Sequence, residues 1–460
     1  MEFVMKTGRG GALILFCMLM LTGRSSADGA AWKAGVALRS ITPRGSMWMA
    51  GYAARKKPAE ATVHDLHAKA LALEDAAGKR FVLVAADLIG IPRDMAVAVA
   101  QQAADRFELP REALLLNASH THCGPEIRPG KDALLALAPE QRVKVKAYAD
   151  RLTGELVTLI GAALNDLQPA QLAVGRGSAD FARNRRFPTS EGFVNRRYDD
   201  GPVDHDVPVL RVEDPAGKTR AVVFGYACHN TTLSFLQWCG DYAGFAQRNI
   251  EQAHPGAAAL FVAGCGGDQN PYPRRTQALA EQHGRSLADA VEATLHGALK
   301  PVHGPLRSAF EEVTLDFQPL PDKASLQADL QSDNVYRRRK AAYLLERLAT
   351  PAGIDMTYPC PVHVVRLGDD VLLIALGGEA VVDYALTLKA EYNQPLTWVA
   401  GYSNDVFGYL PSLRVLREGG YEGGQAMLYG PLPGPFTETV EQRVTATVRR
   451  LVKQVSRREP

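Results

Sequence analysis

Short runs of consecutive apolar residues recur along the chain, and each run is followed at once by a polar, often glycine-rich, segment. Runs of this length without polar alternation are typical of strands that are buried on both faces of a sheet. The runs occupy residues 81–86, 114–116, 221–226, 258–263, 371–376 and 396–400.

Stretches between the runs repeat their apolar residues with the period of an α-helix. The two clearest sets are Leu279, Leu287, Val291 and Leu295, and Val440, Val444, Val448, Leu451 and Val455. Thr437 is the predicted N-cap of the second helix. Strands that alternate with helices predict an α/β protein. We expect a mixed or mostly parallel buried sheet with flanking helices, and an active site at the C-terminal ends of its strands.

The pattern shows no internal repeat and no low-complexity linker. Residues 320–356 are polar with helical spacing, and we interpret them as an insertion. The predicted organisation is therefore a signal peptide over residues 1–27 and one large catalytic domain over residues 28–460.

The first residues have the composition of an export signal. Lys6 and Arg9 precede an apolar run over residues 11–21, and the small residues Ser25 and Ala27 follow it. A membrane anchor is the alternative, but the run is shorter than the roughly 20 apolar residues of a transmembrane helix. We expect cleavage after Ala27 and a periplasmic or secreted protein without a stable transmembrane anchor.

Composition and charge narrow the class of function. The 460 residues are 46% hydrophobic and 22% charged, which is ordinary for a globular protein. Removal of the signal takes more basic than acidic residues and leaves a nearly neutral chain, without the basic footprint of a nucleic-acid-binding protein. The basic run 337–340 is interpreted as a solvated helix face. Loss of Cys17 leaves five cysteines, so at least one is not in an intramolecular disulfide.

Polar side chains follow the predicted strands at the positions where α/β sheets bind ligands. In chain order they are His120, His122, His229, Asp268, Glu379 and Tyr409. Alternate residues of an extended segment face the same side, so His120 and His122 can reach one site.

Two imidazoles and a carboxylate are a ligand set that catalytic zinc uses, with positions left for water or substrate. Zinc lowers the pKa of bound water toward about 7. Structural alternatives remain open, with His229 as a buried hydrogen-bonded side chain and Glu379 as a helix N-cap. His64 and His67 are a weaker candidate pair, because the sequence offers them no third ligand.

Several motifs resemble those of the neutral (alkaline, non-lysosomal) ceramidase family, from about Ala34 to the C-terminal helix. Residues 117–125 resemble the family's Thr-His-Thr-His-Ser-Gly-Pro, and residues 376–379 resemble its Pro-Gly-Glu. Residues 404–409, with the spacing from Tyr409 to Tyr421, resemble its Asn-x-Tyr-x-x-Tyr segment. Residues 267–271 resemble its Gly-Asp-x-Ser-Pro nucleophile turn.

The family hydrolyses the amide bond of ceramide with one zinc ion. By this resemblance, the Zn²⁺ ligands would be His120, His229, Glu379 and Tyr409. The substrate-binding residues would be Arg185, His122 and Tyr421. The expected catalytic residues are His122, Asp268, Asn270 and Tyr409. Tyr409 or His122 would assist the oxyanion or the leaving amine, and Asp268 would orient a neighbouring group.

Two differences from the family bear on the substrate. The nucleophilic serine is replaced by Asn270, which cannot form an acyl-enzyme but can donate hydrogen bonds to an oxyanion. The sequence ends at Pro460, where typical members continue into an immunoglobulin-like domain. Both differences argue against ceramide itself.

The sequence therefore predicts an exported zinc-dependent hydrolase that cleaves an N-acyl amide bond of a small acylated substrate, including a lipid, by metal-activated water. The alternatives are a hydrolase of a soluble acylated sugar or amino acid, and an inactive metal-containing binding protein. No nucleic-acid partner is expected.

Overall fold

The computed structural model describes residues 32–128, 131–393 and 396–457. The predicted signal peptide and Cys17 lie outside the described residues. The strands, in chain order, are β1 (Trp32–Ser40), β2 (Ala61–Thr62), β3 (His67–Asp75), β4 (Arg80–Ala86), β5 (Leu114–Ala118), β6 (Gln168–Ser178), β7 (Ala182–Thr189), β8 (Gly192–Tyr198), β9 (Asp206–Glu213), β10 (Thr219–Tyr226), β11 (Gln237–Trp238), β12 (Ala258–Ala263), β13 (Gln269–Pro271), β14 (Lys300–Pro301), β15 (Leu306–Asp316), β16 (Thr357–Leu367), β17 (Val371–Leu376), β18 (Glu379–Ala380), β19 (Leu396–Ala400) and β20 (Tyr409–Leu410).

The α-helices lie between groups of these strands. They are α1 (Arg93–Phe107), α2 (Lys131–Leu135), α3 (Pro139–Asn165), α4 (Asp241–Ala253), α5 (Gln277–Leu295), α6 (Lys323–Asp329), α7 (Val335–Leu348), α8 (Val382–Glu391), α9 (Leu413–Glu418), α10 (Gly420–Gly423) and α11 (Val440–Ser456).

The larger sheet has nine strands in the order β12-β10-β9-β6-β1-β3-β4-β5, with β14 paired to β6. The pairs β4–β5 and β10–β12 are parallel, whereas the other pairs of this sheet are antiparallel. The sheet is therefore mixed, and the α/β prediction is confirmed in that form.

A second sheet, in the order β15-β16-β17-β19, faces the first across a shared apolar core. Strand β4 shows how one run serves two layers, because successive side chains of a strand point to opposite faces. Phe81, Leu83 and Ala85 point into the core between the sheets. Val82 and Val84 point to the layer formed by α1 and α3. A continuous apolar run is thus required at this position.

Helices cover the outer faces of both sheets. Helices α4 and α5 pack together beside the β10–β12 half of the larger sheet, and α1 and α3 cover the β3–β4 half. Helices α8 and α11 cover the second sheet. The result is a four-layer arrangement, helix, sheet, sheet, helix, in which both sheets are buried.

The six apolar runs correspond to β4, β5, β10, β12, β17 and β19. The N-cap prediction for the last helix was wrong: α11 begins at Val440 and its N-cap is Thr439. Thr437 lies two residues before the N-cap, where its carbonyl accepts from Val440 N–H at 3.2 Å and its hydroxyl contacts that of Thr439 at 2.8 Å.

Residues 320–356 contain α6 and α7, which pack around a small apolar cluster of their own. That cluster consists of Leu326, Ala341 and Leu344, with flanking side chains from the same segment. The organisation into one catalytic domain with an insertion stays a prediction.

Two further features of the described chain are the state of its cysteines and the character of its helices. Cys123, Cys228, Cys239, Cys265 and Cys360 are buried free thiols. Across residues 32–128, 131–393 and 396–457, the helices lack the combination of length and apolar character needed to cross a membrane.

Candidate metal centre and pocket

Strand ends from both sheets meet at one edge of the molecule. Asn117, in β5, forms a bridge with Ser403, and Gly264, after β12, forms one with Ala400 at the end of β19. The buried Asn117 side chain ties these ends together, since it donates to Gly401 O at 2.9 Å and accepts from Ala263 N at 2.9 Å. Segments far apart in sequence therefore deliver their side chains to one place.

Backbone carbonyls fix the orientation of His120 and His229. Nδ1 of His120 lies 2.6 Å from Ile89 O, and Nδ1 of His229 lies 2.7 Å from Gly266 O. A neutral imidazole that donates from Nδ1 presents a lone pair at Nε2. Both Nε2 atoms point to Oε2 of Glu379, at 3.3 Å from His120 and 3.1 Å from His229.

His120, His229 and Glu379 form one group of side chains, and the electrostatics of this group favour a cation at its centre. Burial, with the nearby Arg185, lowers the pKa of His229 to about 4, so the ring is neutral at pH 7. Burial raises the pKa of Glu379, and only positive charge at the positions of His120 and His229 lowers it well below its usual value. Among the described residues, Glu379 Oε2 is buried without a hydrogen-bond partner. An ionised oxygen that faces nitrogen lone pairs is stable only with positive charge between them.

The distances also suit a metal ion. Zinc bonds to imidazole at about 2.0–2.1 Å, which places neighbouring ligand atoms of a tetrahedral site roughly 3.3 Å apart. The two separations from Glu379 Oε2 to the imidazoles have this size. Backbone carbonyls commonly accept from the other ring nitrogen of a metal-bound histidine and fix the orientation of the ring. These residues therefore fit a zinc ion.

His122 lies against the same group. Its Nε2 is 3.1 Å from Nε2 of His120, and one nitrogen from each of His120, His122 and His229 lies within 4.8 Å of the others. Burial lowers the pKa of His122 well below its ordinary value, and its Nδ1 has no partner among the described residues. Gly51 makes room for the ring, since a Cβ there would lie 2.5 Å from it. His122 is thus placed where it can act as a further metal ligand or as a proton acceptor.

Tyr409 reaches the histidines from β20, the strand that pairs with the one carrying Glu379. It is the direct partner of Glu379 in the parallel pair β18–β20, and its hydroxyl lies 3.3 Å from Nε2 of His229. Arg185 Nη2 donates to this hydroxyl at 2.8 Å. Arg185 is itself held by Glu422, whose Oε1 accepts from Nε at 2.7 Å. The guanidinium is therefore fixed against the phenol.

Asn270 lies on the far side of Arg185. Its Oδ1 accepts from Arg185 Nη1 at 3.1 Å and from the Thr231 hydroxyl at 3.3 Å. Its Nδ2 is buried without a partner among the described residues. A buried amide whose N–H lacks a protein acceptor is uncommon in a native protein, and a water, an ion or a ligand is the usual acceptor in such a case.

Asp268 touches none of the histidines through a hydrogen bond among the described residues. Its carboxylate accepts from Val382 N at 2.8 Å, at the start of α8, and from Asn184 Nδ2 at 3.2 Å. Burial raises the pKa of Asp268 to about 6. Asp268 therefore joins the segment that begins with Glu379 to the segment that carries Arg185.

A pocket of ≈ 360 Å³ opens onto this group. Tyr421 lines it, with its ring centroid 5.5 Å from that of Tyr409. Helix α7 contributes Tyr336, whose hydroxyl donates to Ala53 O at 2.8 Å and whose ring lies 4.9 Å from that of Tyr429. The polar insertion thus forms part of the pocket wall.

Sequence reasoning missed several residues of the site. They are Tyr402, whose ring centroid lies 4.5 Å from that of His120, Tyr336, Glu422, and the charged wall residues Glu126, Arg128 and Lys131. One signal was available, because Glu126 and Arg128 directly follow the histidine motif. His64 and His67 form no part of this group, and His64 instead lies 3.3 Å from the Cys239 sulfur.

The family model for the neutral/alkaline non-lysosomal ceramidase N-terminal region matches residues 32–276, which is more than half of the chain. This chain belongs to that family. The match ends before Glu379 and Tyr409, which the structure places beside His120 and His229.

Named relatives agree with this assignment. Neutral ceramidase A of Dictyostelium discoideum is 24% identical over 265 residues, which cover 54% of this chain and 37% of the relative. Neutral ceramidase B of the same organism is 28% identical over 223 residues, covering 45% and 31%. The chain thus matches about a third of the length of these curated relatives.

Solved structures share the fold. The neutral ceramidase from Pseudomonas aeruginosa matches with a TM-score of 0.70 at 21% identity, over 94% of this chain and 77% of that chain. A ceramidase complexed with C2 matches with a TM-score of 0.69 at 19% identity, with the same coverage. The likeness extends well beyond the residues that the family model matches.

Proposed function

We propose that this ceramidase-family protein is an exported zinc-dependent hydrolase of N-acyl amides. The observation that carries the proposal is the buried Glu379 Oε2, which faces Nε2 of His120 and Nε2 of His229 without a hydrogen-bond donor. Family membership supports a hydrolase that acts on amide bonds.

The residues that would hold zinc are His120, His229, Glu379 and Tyr409, with His122 next to them. Zinc held by these residues would lower the pKa of a water molecule, so that it ionises near neutral pH, and would polarise a carbonyl oxygen. His122 is neutral because burial lowers its pKa, so its unpartnered Nδ1 can accept a proton. It can return that proton to the leaving amine.

Two donors are candidates for a developing oxyanion: Tyr409, which lines the pocket, and Asn270, which lies behind Arg185 and does not line it. The Tyr409 hydroxyl is oriented by Arg185, and the Asn270 Nδ2 group has hydrogens that no described residue accepts. Donors of this kind stabilise charge that appears only in the transition state. Because Asn270 replaces the family's serine, the route proposed here involves no acyl-enzyme.

The pocket favours a compact acylated substrate. Its volume of ≈ 360 Å³ lies near the lower end of the range of about 300–1,000 Å³ for small-molecule sites. Ceramide, with two long chains, is therefore expected to be a poor substrate.

Metal analysis and a substrate panel test the function. The purified protein should contain about one zinc per chain and should hydrolyse members of a panel of N-acyl and O-acyl compounds whose products are identified by mass spectrometry. A chelator should abolish this hydrolysis, and zinc should restore it. Full zinc content without turnover on the panel would instead support the alternative that this protein is an inactive binding protein. The replacement of the family's serine by Asn270 is the observation that favours this alternative.

Export has an independent test. The proposal predicts that protein recovered from the periplasm or the medium begins near Asp28, as determined by N-terminal sequencing. An intact N-terminus on protein that stays in the cytoplasm would contradict export without affecting the proposed chemistry.

A further inference from the structure

One wall of the pocket carries a cluster of charges that the proposed chemistry does not use. Glu126 and Arg128 follow the histidine motif, and Lys131 begins α2. Arg128 is neutralised by Glu126 in a two-bond ion pair, with Nε to Oε1 at 2.8 Å and Nη2 to Oε2 at 2.6 Å. The charge of Arg128 is therefore already satisfied.

Lys131 is not paired in this way. Its Nζ donates to Tyr429 O, and no carboxylate lies within 4.0 Å of it among the described side chains. An ammonium has three N–H donors, so one bond to a carbonyl leaves two donors to be used. Lys131 is half-buried, and a cation without an anionic partner is costly there. Loss of surrounding solvent, with the nearby Arg128, lowers the pKa of Lys131 to about 7.

Lys340 provides an internal comparison. It reaches the same loop from α7, where its Nζ donates to Gly430 O at 2.8 Å and also to Leu432 O. Lys340 is not among the residues that line the pocket, whereas Lys131 lines it together with His120 and Glu379. Lys340 thus donates two hydrogen bonds to the loop, whereas Lys131 donates one hydrogen bond to the loop and lines the pocket.

We propose that Lys131 binds an anionic group of the substrate, so that the preferred substrates are N-acyl amino acids or similar amides that carry a carboxylate. This inference rests on the proposed function and names its substrate class. The ammonium would take the carboxylate in a charge-assisted hydrogen bond. The acyl chain would lie against the apolar and aromatic wall, which includes Tyr336, Met427 and Leu432.

A matched pair of substrates tests this inference on the zinc-loaded protein. N-lauroylglycine and N-lauroylethanolamine differ only in the carboxylate, which is a hydroxymethyl group in the second compound. We expect the wild type to favour N-lauroylglycine in kcat/KM by about tenfold or more, the usual size of a charged hydrogen bond. A wild type that hydrolyses both equally, or prefers the neutral compound, would overturn the inference.

Variants locate the effect. Lys131→Met should bring the ratio of the two kcat/KM values close to one, mainly through KM for N-lauroylglycine, and Lys131→Arg should retain a preference for the carboxylate. Lys340→Met is the control and should keep the wild-type ratio. An unchanged ratio in Lys131→Met would show that another group recognises the carboxylate.

Binding separates this inference from the proposed function. If neither compound is hydrolysed, the hydrolase proposal fails for these substrates, but calorimetric titration with N-lauroylglycine still reports on Lys131. Binding that is about tenfold weaker in Lys131→Met than in the wild type would support the anion site without catalysis. Equal binding in both proteins, or none in either, would refute the anion site.

Discussion

Arg185 donates a hydrogen bond from Nη2 to the Tyr409 hydroxyl at 2.8 Å, and the same hydroxyl lies 3.3 Å from Nε2 of His229. Burial raises the pKa of Tyr409 well above its ordinary value, and Arg185 counteracts this effect. The phenol is therefore held with its oxygen toward the proposed metal position, where it can serve as a weak ligand or as an oxyanion donor.

The first prediction concerns this phenol. Tyr409→Phe should retain the zinc, because the two histidines and Glu379 remain, but should lose most of its turnover, by about a hundredfold if Tyr409 serves as an oxyanion donor. Metal content by atomic emission and kcat on the best substrate of the panel measure the two effects. Loss of the zinc would mean that Tyr409 is an essential ligand.

The second prediction concerns Arg185. Arg185→Met should lower kcat, since Tyr409 and Asn270 both lose the hydrogen bonds that orient them. The matched control is Arg183→Met on the same strand, which removes a partly exposed guanidinium and should leave kcat near the wild-type value. Equal kcat in both variants would show that Tyr409 does not depend on Arg185.

The third prediction concerns the metal. His229→Ala and Glu379→Ala should each strip most of the zinc from the purified protein, because the proposed four-residue set loses one of its strong ligands, whereas Tyr409 is a weak one. His64→Ala is the control: His64 lies beside Cys239 rather than in the site, so the zinc content should not change. Full occupancy in His229→Ala would refute the proposed ligand set.

The fourth prediction concerns Asn270. Asn270→Ala should keep the fold and the zinc but lose about a hundredfold or more in turnover, the usual cost of removing an oxyanion donor. Intact-protein mass spectrometry during turnover should detect no acyl adduct on the wild type. A trapped acyl group on any side chain would contradict the proposed route without an acyl-enzyme. Wild-type turnover in Asn270→Ala would show that Asn270 only stabilises the turn.

The fifth prediction concerns the pH dependence of stability through Asp268. An aspartate whose pKa is raised to about 6 by folding stabilises the fold below its unfolded pKa of about 3.9 and loses that contribution as the pH rises through about 6. Asp268→Asn does not titrate, and its new NH₂ group opposes Asn184 Nδ2, so it should be less stable than the wild type.

The deficit of Asp268→Asn should therefore shrink as the pH rises from about 4 to about 7. Urea unfolding of both proteins across this pH range measures the difference between their free energies of unfolding. The titration of all other groups cancels in this difference. A deficit that stays constant or grows with pH would show that Asp268 is not held at a raised pKa.

The sequence by itself determined the class of fold and named most of the side chains that the structure brings together beside the pocket. Six apolar runs without polar alternation are stable only when covered on both faces, which is why each became a buried strand. Antiparallel strands such as β6 and β15 escaped prediction, because their partly exposed faces carry polar residues and no continuous run. His120, His229, Glu379 and Tyr409 could be named because motifs retain their local spacing.

Only the tertiary structure decided how these side chains are oriented and what surrounds them. The orientation of His229 comes from Gly266 O, and that of Arg185 comes from Glu422, which lies 237 positions away. Lys131 reads as an ordinary surface lysine in the sequence, and it becomes a pocket cation only because the loop that contains Tyr429 packs against it. Burial, pKa values and hydrogen-bond partners depend on contacts between distant segments, and no local pattern of residues encodes them.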